Sequence, residues 1–165
     1  THDQVNSRLI YDTSMFMQHN MDAVYKNGVV AFKEELSYIR SYLGMQKRIH
    51  PGLEIVIEDK ITDFKVPYNT IEPLVENAVE AVVETNRPGK VVVRSYERLD
   101  CFAIQIVDNG SGIAPTKKFR AKQDYRIIQK TLKTMTGALI EVRTKQDKGT
   151  ILTVKVPKKG YIIKE

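Results

Sequence analysis

The 165-residue sequence has a single cysteine and no long apolar run. One cysteine, Cys101, excludes an internal disulfide and a cysteine-based zinc site, so a reducing setting and a small core residue are expected. No segment approaches the roughly 18 consecutive apolar residues of a membrane span, and the polar start is unlike a signal peptide. These absences favour a soluble chain, whose abrupt helical beginning would suit a piece of a larger protein.

The chain also lacks internal repeats, low-complexity segments and any basic array interleaved with aromatic residues. The formal charge of +6 and the pI near 9.3 would suit a polyanionic partner. The cations concentrate at 117–122 and 155–159, without the aromatic spacing that binds single-stranded nucleic acid. A solvated loop and tail therefore explain them best, and no nucleic-acid partner is expected.

Apolar periodicity predicts four helices. The first covers residues 5–25, and the second runs to about Arg48 with Phe32, Leu36, Ile39 and Leu43 on one face. The third covers 71–84, with Asn69 or Thr70 as its cap. The fourth places Tyr125, Ile128, Leu132 and Met135 on one face and ends at Gly137.

Strands are predicted at 53–58, 91–98, 101–108, 139–144 and 150–156. Tight connections join the second strand to the third and the fourth to the fifth. Helices interspersed with hairpins, rather than regular βαβ repeats, indicate an α/β fold. We expect a two-layer α/β sandwich with a largely antiparallel sheet.

The third helix has one polar stripe. Glu76, Asn77, Glu80 and Glu84 fall on it, and the opposite side is valine and alanine. A solvated helix face would explain the glutamates, but asparagine is a mediocre helix former in mid-helix. The amide oxygen of Asn77 could complete an octahedral Mg²⁺ shell together with waters and phosphates.

An acid and two glycines follow the apolar strand that ends near residue 108. Asp108, when ionised, accepts hydrogen bonds and suits an exocyclic amino group. Gly110 and Gly112 would let a flat ring lie against the loop, although Asp-Asn-Gly is also a common turn. Lys117, Lys118 and Arg120 could reach a phosphate chain.

The order of these features resembles the Bergerat-fold ATPases, the superfamily of gyrase B, MutL and the histidine kinases. More narrowly, the chain resembles the LytS/YehU-type sensor histidine kinases over roughly residues 31–157. The resemblance rests on the runs at 34–43, 45–48 and 66–67 and on Pro73-Leu-Val-Glu-Asn-Ala78, which is its most specific part.

The resemblance implies an ATP and Mg²⁺ site. Asn77 would hold the metal, Asp108 would accept from the adenine amino group, and Glu76 would polarise the attacking group. The other implied nucleotide-binding residues are Glu80, Ala81, Gly110, Gly112, Ile113, Lys117, Lys118 and Thr150. Pro73 stands where gyrase-like hydrolases carry their base, so phosphoryl transfer to a histidine is expected rather than efficient hydrolysis.

The resemblance also implies a division of the chain and its partners. Residues 1–30 would end a dimerisation and phosphoacceptor region, and 31–165 would form the ATP-binding domain. The implied partners are an upstream phosphoacceptor helix, a second copy and a response regulator. The chain would be a cytoplasmic domain of a bacterial membrane protein, linked to the membrane only through parts that it lacks.

Two departures leave an alternative open. No His-Phe-Leu-Phe/Tyr-Asn acceptor motif is present, and Lys122-Gln-Asp-Tyr125 replaces the Gly-x-Gly-Leu box that cradles phosphate. A pseudokinase or regulatory module with weak or no ATP binding would explain the second departure. A basic nucleic-acid-binding domain would explain only the charge.

Overall fold

A computed structural model describes residues 2–22, 28–112 and 124–160. The described helices are α1 (His2–Asp22), α2 (Phe32–Ile49), α3 (Glu72–Val83) and α4 (Asp124–Thr136). The described strands are β1 (Val29–Ala31), β2 (Leu53–Asp59), β3 (Lys65–Pro67), β4 (Gly89–Glu97), β5 (Cys101–Asp108), β6 (Leu139–Lys145) and β7 (Gly149–Pro157).

Five strands form one sheet in the order β2-β4-β5-β7-β6. The β2–β4 pair is parallel, and the three other pairs are antiparallel. A separate antiparallel pair joins β1 to β3. This arrangement confirms the predicted α/β sandwich with a largely antiparallel sheet.

The core lies between the helices and one face of this sheet, which we call the inner face. Helix α2 supplies Phe32, Leu36, Ile39 and Leu43, all at most 3% exposed, and α3 supplies Leu74, Val75, Ala78, Val79 and Val82. The inner face of β5 contributes Ile104 and Ile106. The rings of Phe32, Phe64 and Phe102 form a stack, with centroids 5.1 and 4.9 Å apart.

Helix α1 packs along α2. The Arg48 guanidinium lies 2.6 Å from the carboxylate of Asp12, which is only 6% exposed. Ile10, Tyr11 and Met17 of α1 remain exposed. Among the described residues, no helix is long and apolar enough to cross a membrane. The division of the chain at residue 30 stays a prediction.

Three local predictions need correction. The first residue of α3 follows Ile71, and neither Asn69 nor Thr70 provides the cap, since the Thr70 hydroxyl donates to the Pro67 carbonyl at 2.7 Å. Met135 is 44% exposed rather than buried with Ile128 and Leu132. The small β1–β3 sheet was not predicted. The end of the first helix, predicted near residue 25, lies outside the described residues.

Candidate functional site

The site centres on Asp108, at the inner-face end of β5. Its side chain is 6% exposed and accepts a hydrogen bond from the Gly110 N–H at 2.8 Å. The Thr150 N–H provides a second backbone hydrogen bond, since β7 pairs with β5 here. Burial raises the pKa of Asp108 to about 6, and the two N–H groups offset part of this rise. The corner thus holds a buried carboxylate that is ionised at neutral pH.

The backbone around Asp108 fits together only because Gly149 has no Cβ. Its φ is 98°, which side chains rarely adopt, and a Cβ would overlap the carbonyl oxygen of Asp108. Thr150 therefore follows directly on a position that only glycine fills without strain. This close approach sets the Thr150 N–H beside the carboxylate.

Gly110 and Gly112 have a packing role that the sequence did not suggest. A Cβ at Gly110 would overlap the carbonyl of Ala81 and lie 2.8 Å from the Val82 nitrogen of α3. Gly112 has a φ of 67°, and its Cβ would overlap the Lys145 carbonyl. Both glycines therefore allow contacts between backbones. That they also shape a ligand pocket stays a prediction.

Helix α3 brings its polar stripe to this corner. The Ser111 N–H donates to the Ala81 carbonyl at 3.2 Å, so the loop after β5 is fastened to the helix. Glu76, Asn77 and Glu80 are partly exposed, as the stripe predicted. Asn77 lies four residues before Ala81, or about 6 Å along the axis. The structure thus brings together Ala81, Gly110, Asp108 and Thr150, with Asn77 one turn away.

The sequence did not predict how Glu35 positions α3. This carboxylate is fully buried and accepts from the backbone N–H groups of Thr70 at 3.1 Å and Ile71 at 2.9 Å. A negative charge at a helix N-terminus satisfies its donors and complements its dipole. Glu35 follows Phe32 by three residues, and a charged residue on an apolar face is the signal that could have revealed it.

Tyr42 of α2 is a second residue that the sequence did not indicate. It is 6% exposed, and burial, followed by the charges of Glu76, Glu80 and Glu72, raises the pKa of its hydroxyl. The phenol therefore lies close to the acidic stripe of α3. Helix α2 borders the candidate site as well as the core.

Part of the predicted site lies outside the described residues. This applies to Ile113, Lys117, Lys118 and Arg120 and to the first two positions of the segment that replaces the glycine box. Helix α4 begins at Asp124, the third position of that segment. The described part of the site is therefore its Asp108 end and α3.

Two of the relatives found by comparison with known proteins describe the family. No protein-family model matches the chain. It is 30% identical over 151 residues to the uncharacterised protein YwpD of Bacillus subtilis, covering 84% of this chain and 54% of YwpD. It is 31% identical over 114 residues to the sensor histidine kinase/phosphatase LytS of Staphylococcus aureus, covering 66% of this chain and 19% of LytS. The chain thus spans about half of the first relative and a fifth of the second.

Solved histidine kinases share the fold. The mycobacterial sensor histidine kinase MprB has a TM-score of 0.60 at 18% identity, covering 80% of this chain and 97% of its own. AdeS of Acinetobacter baumannii has a TM-score of 0.61 at 17% identity, covering 95% and 80%. ThkA bound to the response regulator TrrA has a TM-score of 0.54 at 14% identity, covering 91% and 48%.

The chain has the fold of these solved histidine kinases. The site at the end of β5 lies within that fold, and the relatives narrow the class further. With the match to LytS, this chain belongs to the LytS-type sensor histidine kinases.

Proposed function

We propose that this chain binds ATP and transfers its γ-phosphoryl group to a histidine outside the chain. The observation that carries the proposal is the buried Asp108 carboxylate, which two backbone N–H groups hold beside α3. A buried acid with a raised pKa and no structural ion pair in the described part of the chain suggests a ligand-binding role. The fold and the LytS-type family agree with that role.

Asp108 would select adenine. Its carboxylate is acceptor-only when ionised, and one oxygen already accepts from Gly110. Remaining acceptor capacity can receive the exocyclic amino group of adenine. Because guanine carries an oxygen at the corresponding ring position, the same carboxylate would repel it. Thr150 and Ala81 lie at this end and would contact the base.

The donors on α3 fit a magnesium ion that is mainly held by its nucleotide. The described residues contain no cluster of three or more His, Cys, Asp or Glu side chains that could hold a metal. Mg²⁺ accepts one or two protein oxygens and completes its shell with waters and phosphates. Asn77, partly exposed on the stripe, would supply such an oxygen. When bound, the ion would neutralise charge on the phosphates.

Glu76 would orient and polarise the attacking group, and the rest of catalysis would come from positioning. Pro73 lies in the first turn of α3. Its side chain has no group that could act as a base. Lys117, Lys118 and Arg120 would contact the phosphates. Transfer to a histidine is therefore favoured over hydrolysis by water.

The partners and location belong to the proposal as well. A phosphoacceptor helix upstream, a second copy of the protein and a response regulator would complete the reaction. The complex of ThkA with TrrA supports a regulator as partner for this fold. The chain would lie in the cytoplasm and reach the membrane only through other parts of its protein.

The alternative function is a pseudokinase or regulatory module. The observation that favours it is the acid Asp124 at the start of α4, where a phosphate-binding helix start would carry glycines. A carboxylate there opposes phosphate binding. In this alternative the fold persists and nucleotide binds weakly or not at all.

Calorimetric titration with Mg-ATP separates the two functions. We expect submillimolar binding, weakened at least about tenfold by Asp108→Asn because the acceptor loses its charge. Asp100→Asn, in the exposed β4–β5 turn, is the matched control and should bind as the wild type does. Silence at millimolar Mg-ATP would reject the kinase proposal and leave the regulatory module.

A further inference from the structure

The sheet face away from the helices, the outer face, carries a row of aliphatic side chains. Val56, Val92, Val107 and Ile151 lie side by side on four adjacent strands. Val92 is only 5% exposed, Val56 and Val107 are half-buried, and Ile151 is 40% exposed. None of the four packs in the core cluster between the sheet and the helices. At a strand spacing of about 4.8 Å, the row is roughly 14 Å long. We call it the outer apolar row.

Cationic side chains border one end of this row. Arg143 pairs in register with Ile151, Lys145 lies two residues further along β6, and Lys148 is in the β6–β7 turn. The structure shows no ion pair for any of the three within the described ranges. Glu141, the acid of β6, is instead hydrogen-bonded by Lys155. Arg143 also attracts the Glu141 carboxylate, so we call only Lys145 and Lys148, which show no ion pair in the described part of the chain, the free cations.

The next row on the same face is different. Arg94 lies 2.9 Å from Glu58, its guanidinium donates to Gln105 at 3.4 Å, and Gln105 donates to Thr153 at 3.4 Å. Polar groups in that row bind one another across four strands, as expected of a solvated sheet face. The outer apolar row has no such network. Its composition therefore requires another explanation.

A cleft lies over the outer apolar row. Its volume is about 400 Å³, and Val92, Val107 and Ile151 line it together with Arg143, Lys145 and Lys148. At the end of β5 the cleft reaches the candidate nucleotide site, where Asp108, Asn109, Gly149 and Thr150 also line it. Lys90 also lines it but is paired with Glu54 at 2.8 Å. An apolar floor with uncompensated positive charge at one end complements a ligand that is both apolar and acidic.

We propose that this cleft is a docking site for an acidic protein segment that carries aliphatic or aromatic side chains. The apolar side chains would cover the outer apolar row, and carboxylates would pair with the free cations Lys145 and Lys148. A cleft with an apolar floor fits a segment with aliphatic side chains better than a small compact anion. The outer apolar row lies on the opposite face of β5 from the Asp108 side chain, although the cleft extends to the end of that strand. The docking site is therefore tested without nucleotide.

Methyl-resolved NMR of the intact chain tests this docking site. The probe is a short peptide that alternates glutamate and leucine, added without nucleotide. We expect saturable shifts of the Val92, Val107 and Ile151 methyl groups. Peptides with lysine for glutamate, or serine for leucine, should shift them little. Absence of shifts at millimolar peptide, or shifts confined to α1, would overturn the proposal.

Two double variants with reversed charges test which lysines contribute to the binding free energy of the peptide. Lys145→Glu/Lys148→Glu should weaken peptide binding about tenfold or more, because attraction becomes repulsion. Lys47→Glu/Lys60→Glu changes the net charge equally at exposed positions elsewhere and should weaken it less than about twofold. Ile151→Thr, which keeps the β-branch, should weaken binding by several-fold. Equal losses for the two double variants would show attraction by net charge alone and contradict a site.

Two other ligands provide the remaining controls. Inorganic phosphate and a single-stranded oligonucleotide carry negative charge without aliphatic side chains. Neither should shift the three methyl groups as the peptide does. Shifts of equal size and affinity from either ligand would mean that the cleft recognises anions in general, and the assignment to a protein partner would be wrong.

Discussion

The two faces of the five-stranded sheet are formed by the same strands but pack differently. On the inner face, Ile104 and Ile106 are buried under helices, and the face ends at Asp108, where backbones meet at distances only glycine allows. On the outer face, polar side chains form exposed ion pairs, as between Arg94 and Glu58, and Ile151 is 40% exposed. The comparison teaches that substitutions on the inner face should be costly and those on the outer face mild.

The largest loss of stability is expected for Gly149→Ala. Its Cβ would overlap the Asp108 carbonyl, so the variant should lose about 3 kcal/mol or more of unfolding free energy. Urea denaturation measures the loss. Gly160→Ala is the matched control, because Gly160 has a φ of 89° but no atom near its Cβ. It should lose only about 1 kcal/mol. Equal losses would show that backbone strain, not the close approach, dominates.

The next effect concerns the start of α3. Glu35→Ala leaves the N–H groups of Thr70 and Ile71 buried without their acceptor and should cost about 2 to 3 kcal/mol. Glu35→Gln keeps one acceptor oxygen and should lose less. Glu54→Ala, an exposed acid, is the control in the same thermal or urea unfolding experiment. If Glu35→Ala behaves like Glu54→Ala, the carboxylate does not hold α3.

The pH dependence of stability tests the burial of Asp108. Its folded pKa of about 6 exceeds the ordinary value of 3.8, so the folded state binds the proton more tightly. Its contribution is present below about pH 4 and is lost as pH rises through about 6, by roughly 3 kcal/mol.

The Asp108→Asn variant lacks this pH-dependent loss of stability. At pH 7 it should therefore be as stable as the wild type or more stable, although it should bind less nucleotide. The measurement is the difference in unfolding free energy between wild type and variant at several pH values. A difference that stays constant between pH 4 and 7 would contradict the burial of an ionisable carboxylate.

The smallest change in unfolding free energy is expected for a substitution on the outer face. Glu58→Ala removes an exposed ion pair with Arg94 and should change the unfolding free energy by less than about 0.5 kcal/mol. Raising the salt concentration should reduce even this difference. A loss as large as that of Glu35→Ala would remove the distinction between the two faces.

Most of the fold could be predicted because its long elements have clear periodicity. The buried face of α2 and the alternation of β2 emerge directly from residue spacing, and Gly137 ends α4 as predicted. Strands of three residues, such as β1 and β3, are too short for a period. They form through pairing of Val30 with Val66, which sequence reasoning from local pattern does not detect.

The candidate site was predictable where its residues are local to one element. The stripe of α3 and the acid at the end of β5 follow from spacing. The role of Glu35 was missed because its partner Ile71 lies 36 positions away. The glycines were identified, but their packing against Ala81 and Lys145 depends on contacts between elements. Such contacts have no signature in a local pattern.

The most direct test of the central claim is a structure of this chain with a non-hydrolysable Mg-ATP analogue. We predict the adenine amino group within hydrogen-bond distance of the Asp108 carboxylate and the Mg²⁺ ion coordinated by the Asn77 amide oxygen. The phosphates should extend from that corner along α3. A nucleotide bound elsewhere, for example in the outer-face cleft, or an adenine base that does not contact Asp108, would contradict the account.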